Sequence, residues 1–344
     1  MNRLVFIFLT LVVSGLTLAG RRAVAPKEKL SEYGFFAGNP ADQVPAPGVT
    51  PYALNTPLFS DYAEKFRFVQ LPQGQVVAYN PTEVLDFPVG TTLIKTFYYP
   101  NDFRNPAKGR RLLETRLLIH ESAGWKALDY VWNEAQTEAF LDVAGETTEV
   151  SYVDADGKKR KHGYTIPNLN QCKGCHNRSE KMVPIGPSIR QLNGDLNYSP
   201  TTENQLVHWK NEGLLTGLPA LADCPKTPVW NRPETGSLEL RARAWLDINC
   251  AHCHNPSGPA STSGLNLRSD ETVPAALGIG KTPVAAGRGS GGRQFDLVPG
   301  KPDASILLYR LESTDPGIMM PEVGRKTTHR EGVELVREWI RALK

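Results

Sequence analysis

Two pentapeptides constrain this chain more than any other feature. Both have the pattern Cys-x-x-Cys-His, in which two residues separate the cysteines and a histidine directly follows the second cysteine. They are Cys172-Lys173-Gly174-Cys175-His176 and Cys250-Ala251-His252-Cys253-His254. This spacing lets two thiols reach the two vinyl groups of one porphyrin, with an imidazole placed under the iron. We therefore expect two covalently bound haem c groups, attached through Cys172, Cys175, Cys250 and Cys253, with His176 and His254 as the proximal iron ligands.

Zinc sites, thioredoxin-like sites and disulfide bonds also use closely spaced cysteine pairs. Zinc ribbons separate their two pairs by about 15 to 20 residues, whereas Cys172 and Cys250 lie much farther apart. Disulfide bonds would not explain the histidine after each pair. Haem attachment accounts for all six residues and leaves Cys224 without an assigned role.

The sixth iron ligand decides between electron transfer and reactivity. For the second haem we expect Met320, with Met319 as the alternative, because Met319-Met320-Pro321 follows the second pentapeptide and precedes the last predicted helix. Proline directly after the ligand would stiffen this loop.

The distal ligand of the first haem is less clear from the sequence. Met182 lies only six residues after His176, and so short a segment, about 20 Å at full extension, makes it difficult to reach the opposite face of a porphyrin. We therefore expect His208 as the distal ligand, with Met182 as the alternative. A surface or capping role for His208, and an open sixth position, remain as further alternatives.

The N-terminus has the features of a signal peptide. Arg3 precedes an apolar run over residues 4–18, and small residues follow. The run is shorter than the about 20 residues that cross a bilayer comfortably. We expect a signal peptide over residues 1–20 and a periplasmic protein, with an uncleaved anchor as the alternative.

The composition limits the possible partners. The chain has 344 residues, a hydrophobic content of 40% and a formal net charge of +3. Such a balance is typical of a globular protein and gives no reason to expect nucleic acid as a partner. Beyond residue 25 no apolar run is long enough for a further membrane span, so we expect membrane-peripheral association at most.

Residues 28–166 predict an all-β, sandwich-like domain, because runs of β-branched and aromatic residues alternate with Pro, Gly and Asn. Two hairpins are expected in it, with turns near residues 122–124 and 154–157. Because it lacks cysteine, we expect a scaffolding or docking role. Beyond it the sequence predicts two mainly α haem units, over residues 167–235 and 236–344, and thus a multidomain fold.

Three helix signals support the haem units. Thr202 and Gln205 have the spacing of a capping box. Ser237 is a candidate N-cap for the helix that leads to Cys250, and a closing helix is expected over roughly residues 330–343.

Residues 237–344, with an early Cys-x-x-Cys-His, a late Met-Pro and a closing Trp-Ile helix, resemble class I cytochromes c. That resemblance implies that Trp245 packs near Trp339. Beyond this, most of the chain resembles a family of exported diheme c-type cytochromes, mainly on residues 30–36, 57–65, 184–187 and 249–255. The family implies haem binding and electron transfer, and it does not supply a substrate.

We expect an electron carrier between a periplasmic dehydrogenase or membrane quinol complex and another cytochrome or oxidase. One alternative is an enzyme, a diheme peroxidase in which the first haem has an open position. The other is a haem subunit that docks onto a catalytic dehydrogenase.

Overall fold

A computed structural model describes residues 25–344, and its largest element is one antiparallel sheet. The strands of the chain are β1 (Val49–Pro51), β2 (Glu64–Gln70), β3 (Val77–Ala78), β4 (Thr92–Pro100), β5 (Arg110–Glu121), β6 (Gly124–Trp132), β7 (Ala139–Asp142), β8 (Glu146–Val153), β9 (Lys159–Ile166), β10 (Asn177–Arg178), β11 (Lys181–Met182), β12 (Asp195–Asn197), β13 (Thr202–Asn204) and β14 (Leu215–Thr216). Six of them form the sheet, in the order β1-β2-β4-β5-β6-β7. The other strands form two-stranded pairs, of which β8–β9 is the longest.

The helices are short. They are α1 (Leu169–Cys175), α2 (Ile189–Leu192), α3 (Gln205–Asn211), α4 (Leu238–Leu246), α5 (Ile306–Glu312) and α6 (Arg330–Ala342), and a π-helical turn over Asp247–Ala251 extends α4. Single 3₁₀ turns lie at Leu30–Tyr33, Pro40–Asp42, Pro106–Lys108, Leu221–Asp223, Pro233–Thr235, Ser261–Ser263, Gly287–Ser290 and Pro302–Ala304.

The predicted fold class is therefore wrong, because two mainly α cytochrome units are not seen among residues 25–344. Most of residues 167–344 form loops, which are rich in proline and glycine, residues that disfavour long helices. The β region also differs from a two-sheet sandwich, since a single β8–β9 hairpin packs on one face of the six-stranded sheet. Both predicted hairpins are present, as β5–β6 and β8–β9.

The two faces of the sheet differ in character. One face is apolar and packs under residues 30–46, around Phe68, Ile94 and Tyr130. The opposite face carries Val69, Leu93 and Phe97, but it also carries buried charged side chains. That second face points toward the segments with the two pentapeptides.

The segment after the first pentapeptide does not have a core of its own. Leu192, Leu206 and Trp209, from α2 and α3, pack in one buried cluster with Val69 and Leu93 of the sheet. Cys224 belongs to this cluster as a free, buried cysteine, and its Sγ lies 3.7 Å from the carbonyl oxygen of Ala220. The six-stranded sheet and residues 167–235 therefore share one buried cluster.

A second cluster holds the C-terminal part together. Trp245 of α4 and Trp339 of α6 both belong to it, together with Cys250 and Leu297. The Ser237 hydroxyl caps α4 by accepting the N–H of Leu240, as expected. α6 begins at Arg330, also as expected.

The capping box predicted at Thr202 and Gln205 is not formed. Asn204 caps α3 instead, because its side-chain oxygen accepts the N–H of Leu206 at 3.0 Å. Thr202 lies in β13.

No helix within residues 25–344 combines the length and the apolar character that crossing a membrane requires. The predicted signal peptide, residues 1–20, lies outside this range.

Candidate cofactor site

The first pentapeptide lies on α1. Asn168 caps this helix, since its side chain accepts the N–H of Gln171 at 3.0 Å and the Gln171 side chain accepts the N–H of Asn168. α1 ends at Cys175, so His176 leaves the helix and turns back over it. The cap thus places two thiols and one imidazole within two turns of backbone.

The His176 ring is held by its Nδ1 atom, which lies 2.9 Å from the carbonyl oxygen of Val183. A carbonyl can only accept, so Nδ1 carries the proton and Nε2 keeps its lone pair. Burial lowers the pKa of His176 to about 4. The ring is therefore neutral at pH 7, which is the form that binds a metal.

The second pentapeptide follows α4 and the π-helical turn, and its histidine is held in a similar way. His254 Nδ1 lies 3.0 Å from the hydroxyl oxygen of Ser263, and that hydroxyl donates to the carbonyl oxygen of Ala260 at 2.7 Å. Because the Ser263 proton is already engaged, His254 Nδ1 must donate, which leaves Nε2 free. Burial lowers the pKa of His254 to about 4.

The two pentapeptides lie against each other. Cys175 of the first pentapeptide and His252 of the second lie on the wall of one shared cavity. The loops that follow the pentapeptides are joined by a backbone hydrogen bond of 3.1 Å, from Ser179 N–H to the carbonyl oxygen of Ser257.

A cavity of about 1780 Å³, including its open mouth, lies between the sheet and both pentapeptides. The first pentapeptide contributes Cys172, Cys175 and His176 to the wall, and the second contributes His252. Cys250, Cys253 and His254 are not part of the wall that the structure describes. Apolar side chains complete it, among them Leu54, Leu58, Leu93, Ile185, Trp245 and Ile248.

Met320 and Pro321 also line the cavity. Met319 is only 5% exposed and is not part of the cavity wall that the structure describes. Buried Arg325 holds this loop, because its guanidinium donates to the carbonyl oxygen of Met320 at 2.9 Å and to that of Ser313 at 2.8 Å. The loop therefore presents Met320 to the cavity.

The structure does not bring His208 or Met182 to this cavity. His208 stacks on Tyr198, with ring centroids 3.4 Å apart, and its Nδ1 lies 2.8 Å from a carboxylate oxygen of Glu203. Met182 lies in β11, paired with Asn177 of β10. Neither side chain is part of the cavity wall formed by residues 25–344.

One of the segments on which the family resemblance rests, residues 57–65, reaches this site. Asn249, next to Cys250, accepts the N–H of Phe59 through its side-chain oxygen at 2.9 Å. Phe59 in turn stacks on His329, with centroids 4.3 Å apart and an interplanar angle of 7°. His329 also accepts the indole N–H of Trp245 at 3.0 Å.

The sequence missed the charged wall of the cavity, formed by Arg67, Lys95 and Arg116 on the sheet. Burial, together with Arg67, Arg116 and Lys65, holds the pKa of Lys95 well below its usual range. The available signal was a lysine at an inward position of the otherwise apolar and aromatic run of β4.

No three His, Cys, Asp or Glu side chains within residues 25–344 come together as a metal site. This does not weigh against haem, whose porphyrin supplies four ligands and leaves one or two for the protein. At the first pentapeptide, the residues present fit haem in the free Nε2 atom of His176, the paired thiols and the apolar walls of the cavity. The second pentapeptide has a similarly held histidine, His254, outside the described wall. Comparison with protein-family models, curated proteins and solved structures found no match to this chain.

Proposed function

We propose that this chain is an exported diheme c-type cytochrome, which carries electrons between a periplasmic or membrane redox partner and another cytochrome or oxidase. The observation that carries the proposal is the meeting of the two pentapeptide segments, which are joined by the Ser179–Ser257 backbone hydrogen bond and place Cys175 and His252 on one cavity wall. Two redox groups in contact form a path for electrons, which a single isolated group would not provide.

Each residue has a distinct role in this proposal. Cys172 and Cys175 attach the first haem, and Cys250 and Cys253 attach the second. His176 and His254 bind iron through Nε2, because their Nδ1 atoms are held by Val183 and Ser263. A bound haem supplies one-electron chemistry at its iron, and these hydrogen bonds fix the imidazoles and raise their basicity.

Met320 completes the second site in this proposal. A thioether ligand favours reduced iron, so the second site is proposed as the final acceptor within the chain. Electrons would then pass from the first pentapeptide to the second, where the two segments meet.

The proposal is tested by producing the full chain in a host that attaches haem c, and by measuring haem per chain from the pyridine haemochrome spectrum. Two covalent haems per chain are expected. The paired change Cys172→Ser and Cys175→Ser should leave one haem, as should Cys250→Ser and Cys253→Ser. A wild-type chain that carries zinc or a disulfide and no covalent haem would overturn the proposal.

One observation favours a second function, a peroxidase-like enzyme with an open first haem. The positions of His208 and Met182, both outside the cavity wall, support an open sixth position above His176. High-spin ferric haem at the first site together with peroxide turnover would establish the enzyme. Low-spin spectra at both sites would establish the carrier.

A further inference from the structure

The cavity face of the sheet carries charged side chains in one row across four strands. Arg67 of β2 lies directly opposite Lys95 of β4, Lys95 lies opposite Arg116 of β5, and Arg116 lies opposite Asp129 of β6. Directly opposite residues point to the same side of a sheet. Three cations therefore stand side by side, an arrangement that is unfavourable for like charges.

Only one end of this row is neutralised by the protein. Arg116 pairs with Glu114 and lies 3.5 Å from the Asp129 carboxylate. Arg67 is only 8% exposed, and neither it nor Lys95 has an ion-pair partner among residues 25–344. The Phe97 ring, 4.7 Å from Lys95 Nζ, provides a cation–π contact but no negative charge.

The two ends of this row lie at different distances from the first pentapeptide. α1, which carries Cys172 and Cys175, packs against β6, the strand of Asp129 at the neutralised end of the row. Arg67 is two strands away from Arg116, or about 10 Å. The unpaired cations therefore lie on the side away from the attachment cysteine.

A haem attached through its vinyl groups also has its charged groups on the side away from the point of attachment. Its two propionate carboxylates lie on the side of the macrocycle away from the vinyl carbons, and the rest of its surface is apolar. Leu54, Leu58 and Leu93 line the cavity beside the cations. The apolar walls and the position of the positive charge thus match one amphipathic dicarboxylate.

We propose that Arg67 and Lys95 bind the propionate carboxylates of the haem attached at Cys172 and Cys175. This inference rests on the function proposed above, and it assigns the β region a direct part in cofactor binding. Two carboxylates would neutralise the two cations that the protein leaves unpaired.

The test uses the full-length haem-loaded protein and four variants. Arg67→Gln and Lys95→Gln remove one charge each, and Arg67→Lys keeps the charge. Arg111→Gln is the control, because Arg111 is exposed on β5 and does not belong to the described cavity wall. The measurements are the two midpoint potentials and the redox-difference infrared spectrum of protein with haem isotopically labelled at its propionate carboxylates.

Removing a cation beside the iron favours the ferric state. We expect each Gln variant to lower the equilibrium constant for reduction of the first haem about tenfold, which is about 59 mV for one electron. The labelled carboxylate bands should shift in both Gln variants. Arg67→Lys and Arg111→Gln should retain the wild-type potential, and the second haem should not change in any variant.

Unchanged potentials and unchanged carboxylate bands in a Gln variant with two haems would overturn this inference and leave the proposed function standing. Absence of covalent haem from the wild type would overturn both. If acetate shifts the first-haem spectrum of the wild type but not of Arg67→Gln, the row binds free carboxylates, and the propionate assignment is wrong. If Arg67→Gln does not fold, the midpoint potentials and the labelled carboxylate bands of Lys95→Gln provide the test.

Discussion

Asp61 binds the loop that presents Met320, through Thr327. One carboxylate oxygen of Asp61 accepts the backbone N–H of Thr327 at 2.7 Å and its hydroxyl at 2.8 Å, and the carboxylate also accepts the N–H of Lys326 at 2.8 Å. Asp61 is 3% exposed, so these bonds are shielded from water. A residue early in the chain thus fixes the loop that follows the expected iron ligand.

The change Asp61→Asn should loosen this loop. Asn tolerates the positive φ of 51° at this position, but its amide replaces one accepting oxygen with a donor. We expect a loss of about 1 to 3 kcal/mol in the free energy of unfolding, because buried N–H groups lose their acceptor. Denaturant titration measures this. Asp195→Asn, on the exposed β12, should change stability by no more than about 0.5 kcal/mol; an equal loss in both variants would contradict the role of Asp61.

Met320→Leu and Met319→Leu should have different effects. Met320 lines the cavity, so its loss should lower the potential of the second haem and abolish the low-spin thioether-ligated spectrum. Met319 is buried away from the cavity wall, and a Met-to-Leu change of similar volume should cost less than about 1.5 kcal/mol. Optical spectra and potentials of both variants are the measurement, and the reverse pattern would identify Met319 as the ligand.

Ser263→Ala should raise the potential of the second haem. The variant removes the acceptor of the His254 Nδ1 proton, which makes the imidazole a weaker donor to ferric iron. Ser261 lies in the same turn and is exposed, so Ser261→Ala is the matched control. A potentiometric titration that finds the two variants equal would show that the Ser263 hydroxyl does not act on the iron ligand.

His329 should make stability depend on pH. Burial lowers its pKa to about 4, compared with about 6.5 when unfolded. The unfolded chain therefore takes up the proton first as the pH falls, so stability is full above about pH 6.5 and decreases toward pH 4, by about 3 kcal/mol. His329→Phe should flatten this slope in haem-loaded protein, measured by denaturant titration at several pH values. Phe59→Leu removes the stacking partner but keeps the imidazole, so its slope should persist.

Local patterns predicted the parts of the structure that depend on neighbouring residues. Ser237 caps α4 and α6 begins at Arg330, as predicted, because an N-cap and a helical pattern each depend on residues that are close in the sequence. The capping box predicted at Thr202 was wrong because Asn204, two residues later, is a better N-cap. The sequence could not predict the charged row, because Arg67 meets Lys95 only through the register of β2 on β4.

Local sequence patterns also did not predict how short the helices in residues 167–344 are. Apolar residues at helical spacing in residues 167–344 indicate mainly α units, but the chain uses some of them outside its helices, in segments that pack on the sheet. Leu214, for example, follows the end of α3 and packs against the cluster that contains Leu93 of β4. Tertiary packing therefore overrode the helical pattern.

The enclosure of Cys250 has a consequence for biosynthesis. This residue is only 8% exposed and lies in the cluster that Trp245 and Trp339 close. In the proposed cytochrome, a maturation enzyme would have to reach this thiol in order to join it to a vinyl carbon, and the packed α4 and α6 would block its access. Thioether formation would then have to come while the polypeptide is still open, and the C-terminal part would close around a cofactor already in place.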